Sequence, residues 1–311
     1  MYTEYFGFTK KPFSLIPDPG FLYLSPNHRK AITILRYGLM SQAGFTVVTG
    51  EIGTGKTTLV NYLYRGMRQE RTVGLITNTH FSYGDLLTLI LAAFGIKESI
   101  TDQAQRYQCL VLFLQKQFAA HHRAVLIIDE AQNMDLRTLE ELRLLSNINA
   151  GNDILLQIVL LGQPELVSKL NSPELVQFTQ RISVDFYLAP LDFKQSISYI
   201  YHRLHVAGGE PNIFSKTACA TIYYFTSGVP RLINNICDLS LVFTYGEGKK
   251  NVSVEMVLSV IIEKKLGGIL PLQGLQDSKI KQRIRQMVME QEQIDLAGYW
   301  DSLVINQALV G

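Results

Sequence analysis

Apolar positions along the chain fall into two patterns. Residues 45–49 (FTVVT), 73–77 (VGLIT), 124–128 (AVLII) and 154–161 (ILLQIVLL) are short runs that stay apolar or β-branched on both faces. Such runs predict strands covered on both sides, the habit of a parallel sheet. Residues 136–148, 192–206, 215–226, 232–245 and 254–266 instead repeat their apolar positions at helical spacing. Asp192 is placed to cap the second of these helices and Gly208-Gly209 to stop it. Gly228 stops the third, and Pro230 opens the fourth at a position where its missing N–H costs nothing. The pattern predicts an α/β domain to about residue 190 and an all-α domain after it.

Composition narrows this only a little. The chain has 311 residues, 47% apolar and 18% charged, which suits about two globular domains and excludes a disordered chain. No run reaches the roughly 18 to 20 apolar residues of a membrane helix, and the first residues, MYTEYFGFTKKPFSLIPDP, lack the apolar core of a signal sequence. The expectation is a cytoplasmic protein with no transmembrane segment. Cys109, Cys219 and Cys237 are isolated and read as buried thiols. His121-His122 and His202/His205 lack partners at ligand spacing, so no metal site is expected from them. A net charge of +2 does not by itself indicate a nucleic-acid partner.

The chemistry begins at GEIGTGKTT. Gly50, Glu51, Ile52, Gly53, Thr54, Gly55, Lys56, Thr57 and Thr58 match GxxxxGK[ST] between a strand and a helix. In that setting the glycines let backbone N–H groups curl around phosphate oxygens, and the helix start adds its positive dipole end. Lys56 would reach the β- and γ-phosphates of ATP, and the Thr57 hydroxyl would ligate Mg²⁺. The apolar run 124–128 ends in two acids. Asp129 would hold Mg²⁺ through water, and Glu130 would polarise the attacking water as general base. Gln163 stands at the end of the next strand, where a polar side chain would face both the γ-phosphate and the water.

This set, followed by Thr179-Gln180-Arg181 before Ile182, resembles the AAA+ ATPases. The resemblance implies that Arg181 enters a neighbouring subunit's nucleotide site. A guanidinium there stabilises charge on the transferring phosphoryl group, and such fingers are worth on the order of 10³-fold in rate. It also implies that Arg231, at the start of a lid helix, contacts the γ-phosphate of its own subunit. Asn78, after the strand at 73–77, is a candidate to hold Glu130 inactive until a partner binds.

Phe6-Gly7-Phe8, Lys11-Pro12-Phe13, Pro17-Asp18-Pro19, 21–25 (FLYLS) and His28 are similar to the N-terminal stretch of the ExeA/GspA-type secretion ATPases. So are 161–166 (LGQPEL), 180–182 (QRI), 199–204 (YIYHRL) and 228–234 (GVPRLIN). The resemblance implies four parts: a Phe/Pro-rich segment at 1–38 packing over the core and the adenine, an ATPase core at 39–190, a helical lid at 191–266, and a linker with a C-terminal helix at 267–311. That last helix carries its bases first and its acids last, against the helix dipole, so it needs support from packing or a partner. The implied protein is a homo-oligomer, ring or filament, whose ATP cycle drives a cell-envelope assembly protein. Longer members add a membrane helix and a wall-binding module that this chain does not show. The alternative is an ATP-dependent DNA-binding regulator acting with a transposase, as in the related TnsC/TniB/MuB proteins.

Overall fold

The computed structural model describes residues 2–16, 18–67, 71–77, 85–97, 102–151, 153–266 and 278–298. It divides into two compact units, an α/β unit of residues 26–189 and a helical unit made of residues 1–25 together with 190–311. A single helical turn, α1 (Tyr2–Tyr5), opens the chain. The α/β unit then runs α2 (Pro26–Met40), β1 (Phe45–Thr49), α3 (Lys56–Met67), β2 (Arg71–Ile76), α4 (Leu86–Ala93), α5 (Gln103–Ala119), β3 (Arg123–Ile128) and α6 (Leu136–Leu145). It closes with the two-residue strands β4 (Asn149–Ala150) and β5 (Asp153–Ile154), then β6 (Leu156–Gly162), α7 (Pro164–Leu170), α8 (Val176–Thr179) and β7 (Ile182–Tyr187).

The main sheet has the order β2-β3-β6-β1-β7, all parallel. Strands β1 and β6 lie near its middle and are buried at every position, which is why their sequences are apolar or β-branched except at Gln157 and the terminal Gly162. Edge strand β7 alternates, with Ile182, Val184 and Phe186 half-buried and Ser183, Asp185 and Tyr187 exposed. The registers Thr49↔Gly162 and Ile128↔Leu160 bring the carboxyl ends of β1, β6 and β3 to one rim. Helices α4, α5 and α6 each start on an aspartate (Asp85, Asp102 and Asp135) whose carboxylate accepts an amide N–H three residues on.

One strand begins later than its hydrophobic pattern predicts. Ile154 pairs with Asn149 in the small antiparallel β4–β5 hairpin, and the central strand starts only at Leu156. Arg123 sets this corner, donating to Asp153 at 2.9 Å and to the Ile154 carbonyl at 3.4 Å. Inside β6 the one polar side chain, Gln157, is buried but fully used. Its amide nitrogen donates to the carbonyls of Gly38, Leu39 and Ala43, and its oxygen accepts from Arg71.

The helical unit contains α9 (Phe193–Val206), α10 (Lys216–Thr226), α11 (Pro230–Gly246), α12 (Val254–Leu266) and α13 (Ser278–Glu292). Here the structure departs from the expected parts. Residues 26–40 form a helix of the α/β unit, packed through Ala31, Ile32, Leu35 and Leu39. The preceding aromatics belong to the helical unit. Tyr2, Phe8, Phe13 and Phe21 are buried in the core of the helical unit with Leu204, Phe214 and Leu241.

The reason lies in Arg203. Its buried guanidinium donates to the carbonyls of Pro12 at 2.6 Å and Ser14 at 3.1 Å and to the Tyr199 hydroxyl at 3.3 Å, and it lies 4.6 Å from the Phe21 ring centre. Tyr199 in turn donates to Asn234 at 2.8 Å. Proline has no N–H and breaks regular structure, so this segment offers carbonyls that only an outside donor can satisfy. Phe8 settles against Gly209, where an added Cβ would lie 2.1 Å from its ring.

Helix α13 finds its support within the same unit. Ile284 and Val288 are buried in this core, and Thr217 of α10 donates to Glu292 at 2.5 Å. Among the described residues, no helix is long and apolar enough to cross a membrane.

Arg203→Ala leaves two carbonyls and a hydroxyl without their donor inside a core. It should lower the stability of the helical unit by about 3 kcal/mol and expose the Pro12–Ser14 segment to limited proteolysis. Thermal unfolding at the parental temperature would contradict the role given to Arg203.

Candidate active site

The site assembles at the carboxyl rim of the sheet. Strand β1 runs out at Thr49 with the Leu188 N–H bonded to its carbonyl at 2.7 Å, and the Gly50 N–H donates to Gly162 at 3.2 Å. The loop then closes on itself, the Thr54 hydroxyl donating to the Glu51 carbonyl at 2.9 Å. Gly53 and Gly55 take φ of 82° and 101°, which side chains rarely adopt. A Cβ on Gly50 would lie 2.5 Å from the Leu188 carbonyl oxygen. Helix α3 starts at Lys56, so its first amides, which no helix can pair internally, face the loop. This is a backbone cradle of the kind that suits phosphate, with positive-φ glycines leading into a helix start.

Lys56 is buried, and its ammonium donates to the carbonyls of Gly50 at 2.7 Å and Glu51 at 3.0 Å. Burial lowers its proton affinity, and the carboxylates of Glu130, Asp129, Glu51 and Glu165 pull it back. Asp129 is also buried, which raises its carboxyl above the ordinary range, against hydrogen bonds from the Thr57 hydroxyl and the Glu130 amide. The Thr57 hydroxyl donates to Asp129 Oδ2 at 2.7 Å. A hydroxyl and a buried carboxylate in contact form a hard-oxygen pair suited to Mg²⁺. The residues present therefore fit both a triphosphate and its metal.

Glu130 follows with backbone φ 55° and ψ 37°, a left-handed conformation unusual for a non-glycine residue. Its Oε2 accepts from Gln132 Nε2 at 2.6 Å and from Gln163 Nε2 at 3.0 Å. Gln132 Oε1 accepts the Gln163 backbone N–H at 3.0 Å. Lys169 of α7 donates to the carbonyls of Gln132 at 2.5 Å and Met134 at 2.8 Å.

The structure thus brings Lys56, Thr57, Asp129, Glu130 and Gln163 together at one rim. Arg181 is not among them. It precedes Ile182, which pairs with Phe45 at the opposite end of β1, about 16 Å of strand away from the cradle. There it is half-buried and donates to Ser146 at 3.2 Å. Arg231 is exposed in the first turn of α11, in the helical unit. Asn78 lies outside the described residues.

Sequence reasoning passed over three residues. Gln132 and Lys169 belong to no motif that would single them out in the sequence. His28, noted only within the resemblance, is buried beneath the cradle: a Cβ on Gly55 would lie 3.0 Å from its Nε2. Burial lowers the proton affinity of His28, opposed by a hydrogen bond with the Thr54 backbone.

With this geometry in place, the chain can be set beside known proteins. An AAA domain family matches residues 39–170. General secretion pathway protein A of Aeromonas hydrophila is 38% identical over 253 residues, covering 81% of this chain and 46% of that protein. The chain thus spans about half the length of this relative. Among solved structures, CDC6P from Pyrobaculum aerophilum has a TM-score of 0.61 at 17% identity, covering 84% of this chain and 74% of that one. The Aeropyrum pernix ORC2 protein scores 0.58 at 16% identity, over 97% and 89%. The Thermotoga maritima RUVB branch migration motor scores 0.51 at 15% identity, over 89% and 80%. These solved structures share the fold: a parallel five-stranded sheet flanked by helices in a P-loop protein of the AAA type.

Two outcomes follow from the cradle. Gly50→Ala should abolish nucleotide binding in calorimetry while the thermal transition persists; undiminished affinity would refute the close approach to Leu188. His28 should make the α/β unit sensitive to acid. Its folded proton affinity is depressed, so its contribution is complete above the ordinary value of 6.5 and is lost as pH falls from there toward the folded value. His28→Gln should flatten melting temperature against pH in that window; an unchanged slope would remove His28 as the cause.

Proposed function

The chain belongs to the ExeA/GspA-type AAA+ ATPases, and from that premise we propose that it hydrolyses ATP at seams between identical subunits to drive assembly of a cell-envelope machine from the cytoplasmic side. The observation that carries the reading is the convergence of the Thr57–Asp129 contact and the amide-held Glu130 on the rim of the phosphate cradle.

Lys56 and the amides at the start of α3 neutralise and orient the β- and γ-phosphates of the substrate. Thr57 and Asp129 would hold Mg²⁺, which when bound would spread the charge developing on the phosphate oxygens. Glu130 accepts the proton of the attacking water, and Gln163 orients that water against the γ-phosphate. The position of Arg181 supports a role in trans: next to Ile182, which pairs with the far end of β1, and bonded to Ser146, it stands too far from its own cradle to act there. Arg231 is the residue through which the helical unit would register the γ-phosphate.

The envelope-assembly role rests on the likeness to a general secretion pathway protein. The DNA-binding alternative would draw on the bases of α13. Two of these are already engaged, Lys281 over the Tyr224 ring and Arg285 with Asp295. It would require ATP-dependent DNA affinity that falls steeply with salt.

A mixing experiment tests the seam. Glu130→Gln should bind ATP without turnover, and Arg181→Ala should bind it yet turn over at least 10²-fold more slowly. Mixed one to one, the two inactive variants should recover up to roughly a quarter of parental activity, since a Glu130→Gln subunit can lend its arginine to an intact site. A mixture as inactive as its components would place both residues in one subunit's site.

A further inference from the structure

Three hydrogen bonds at the ends of β3 and β6 close a ring. Gln132 Nε2 donates to Glu130 Oε2, Gln132 Oε1 accepts the Gln163 N–H, and Gln163 Nε2 donates back to the same Glu130 Oε2. Taking Glu130 as the water-activating carboxylate, as above, we infer that Gln132 is a positioning residue for hydrolysis, locking Glu130 and Gln163 into one unit that addresses a shared water.

A carboxylate on a two-carbon stem has several rotamers, and here its backbone is also in the left-handed region. Left to itself, Glu130 would spend only part of its time facing the γ-phosphate. Two amide donors converging on one oxygen remove that freedom and leave the carboxylate plane with a single orientation. Gln163 Nε2 carries two hydrogens, so it can keep its bond to Glu130 while the second N–H points to phosphate or water. Neither glutamine can turn alone. Gln132 is tied through its oxygen to the Gln163 backbone, at the N-cap of α7. Its own carbonyl is held by Lys169 from the same helix, together with that of Met134. The segment bearing Glu130 is thereby fastened to the element that begins with Gln163. Gly162 completes the fit, since a Cβ there would lie 3.3 Å from Gln132 Oε1 and 2.6 Å from Leu166.

Gln132 thus acts through Glu130, and its removal should slow the chemical step while leaving nucleotide affinity intact. The test is steady-state ATP hydrolysis by the full chain carrying Gln132→Met, Gln163→Met, both, or Glu130→Gln. Affinity for a non-hydrolysable ATP analogue and melting temperature are measured on the same preparations. Gln132→Met should lower kcat about 10- to 100-fold with KM and analogue affinity within about twofold. The double variant should lose little more than the worse single, because both glutamines act through one carboxylate. Gln132→Glu keeps length and the acceptor for the Gln163 N–H but removes the donor, so it should show the same kcat loss even if Gln132→Met folds poorly. Parental kcat in Gln132→Glu, a loss confined to KM or affinity, or effects that multiply in the double variant would overturn the proposal. Turnover by Glu130→Gln would instead overturn the role of Glu130, on which the proposal rests. An inactive Glu130→Gln beside a fully active Gln132→Glu would sink the ring alone.

Discussion

The contact between Thr57 and Asp129 is the constraint on which the site depends. These residues follow β1 and β3, which are not neighbours, because β6 lies between them. Two strand spacings amount to about 10 Å, so a 2.7 Å hydrogen bond between them requires that the three strand ends be flush. The parallel registers supply this, and the close turn from Thr49 through Gly50 carries Thr57 back over the rim on the first turn of α3. A slip of one residue in either ladder would turn every side chain of that strand to the opposite face and separate cradle from carboxylate.

Around that contact, the site gathers charge that the protein alone balances poorly. One buried ammonium, Lys56, faces four carboxylates, those of Glu130, Asp129, Glu51 and Glu165. Burial acts on Lys56 and Asp129 in opposite senses, disfavouring the charged form of each. A polyanion over the cradle and a divalent cation beside Asp129 would compensate both at once. Glu130 is held differently, by neutral amides that orient it without bringing in another charge. The chemistry assigned to each group follows from this division: charged groups bind, and the amide-held carboxylate waits for a proton.

Much of this was legible in the sequence, because the signals were local. Runs apolar or β-branched on both faces marked β1, β3 and, apart from Gln157, β6, since central parallel strands have no solvent face to vary. The glycines and Lys56-Thr57 marked the cradle, since few backbones can make that turn. Signals that depended on distant partners were lost. The aromatics at Phe8, Phe13 and Phe21 announce burial but not which core receives them. Arg203, nearly two hundred residues away, supplies the answer. Ile154 reads as strand because its residue type is apolar, while Arg123 and Asp153 draw its backbone into a hairpin. Gln132 follows the acidic pair as an ordinary polar residue, and only the fold shows that it faces Gln163 across two strand ends.

Arg181 has the largest consequence for how the protein works, because it stands at the end of the sheet opposite its own cradle. If a neighbour's site is where it acts, each catalytic centre needs two chains. The direct measurement is specific ATPase activity as a function of protein concentration, from well below to well above the range in which the chain associates. Activity per subunit should rise with concentration and plateau once association is complete. A constant activity per subunit down to dilutions where only monomers remain would contradict the account.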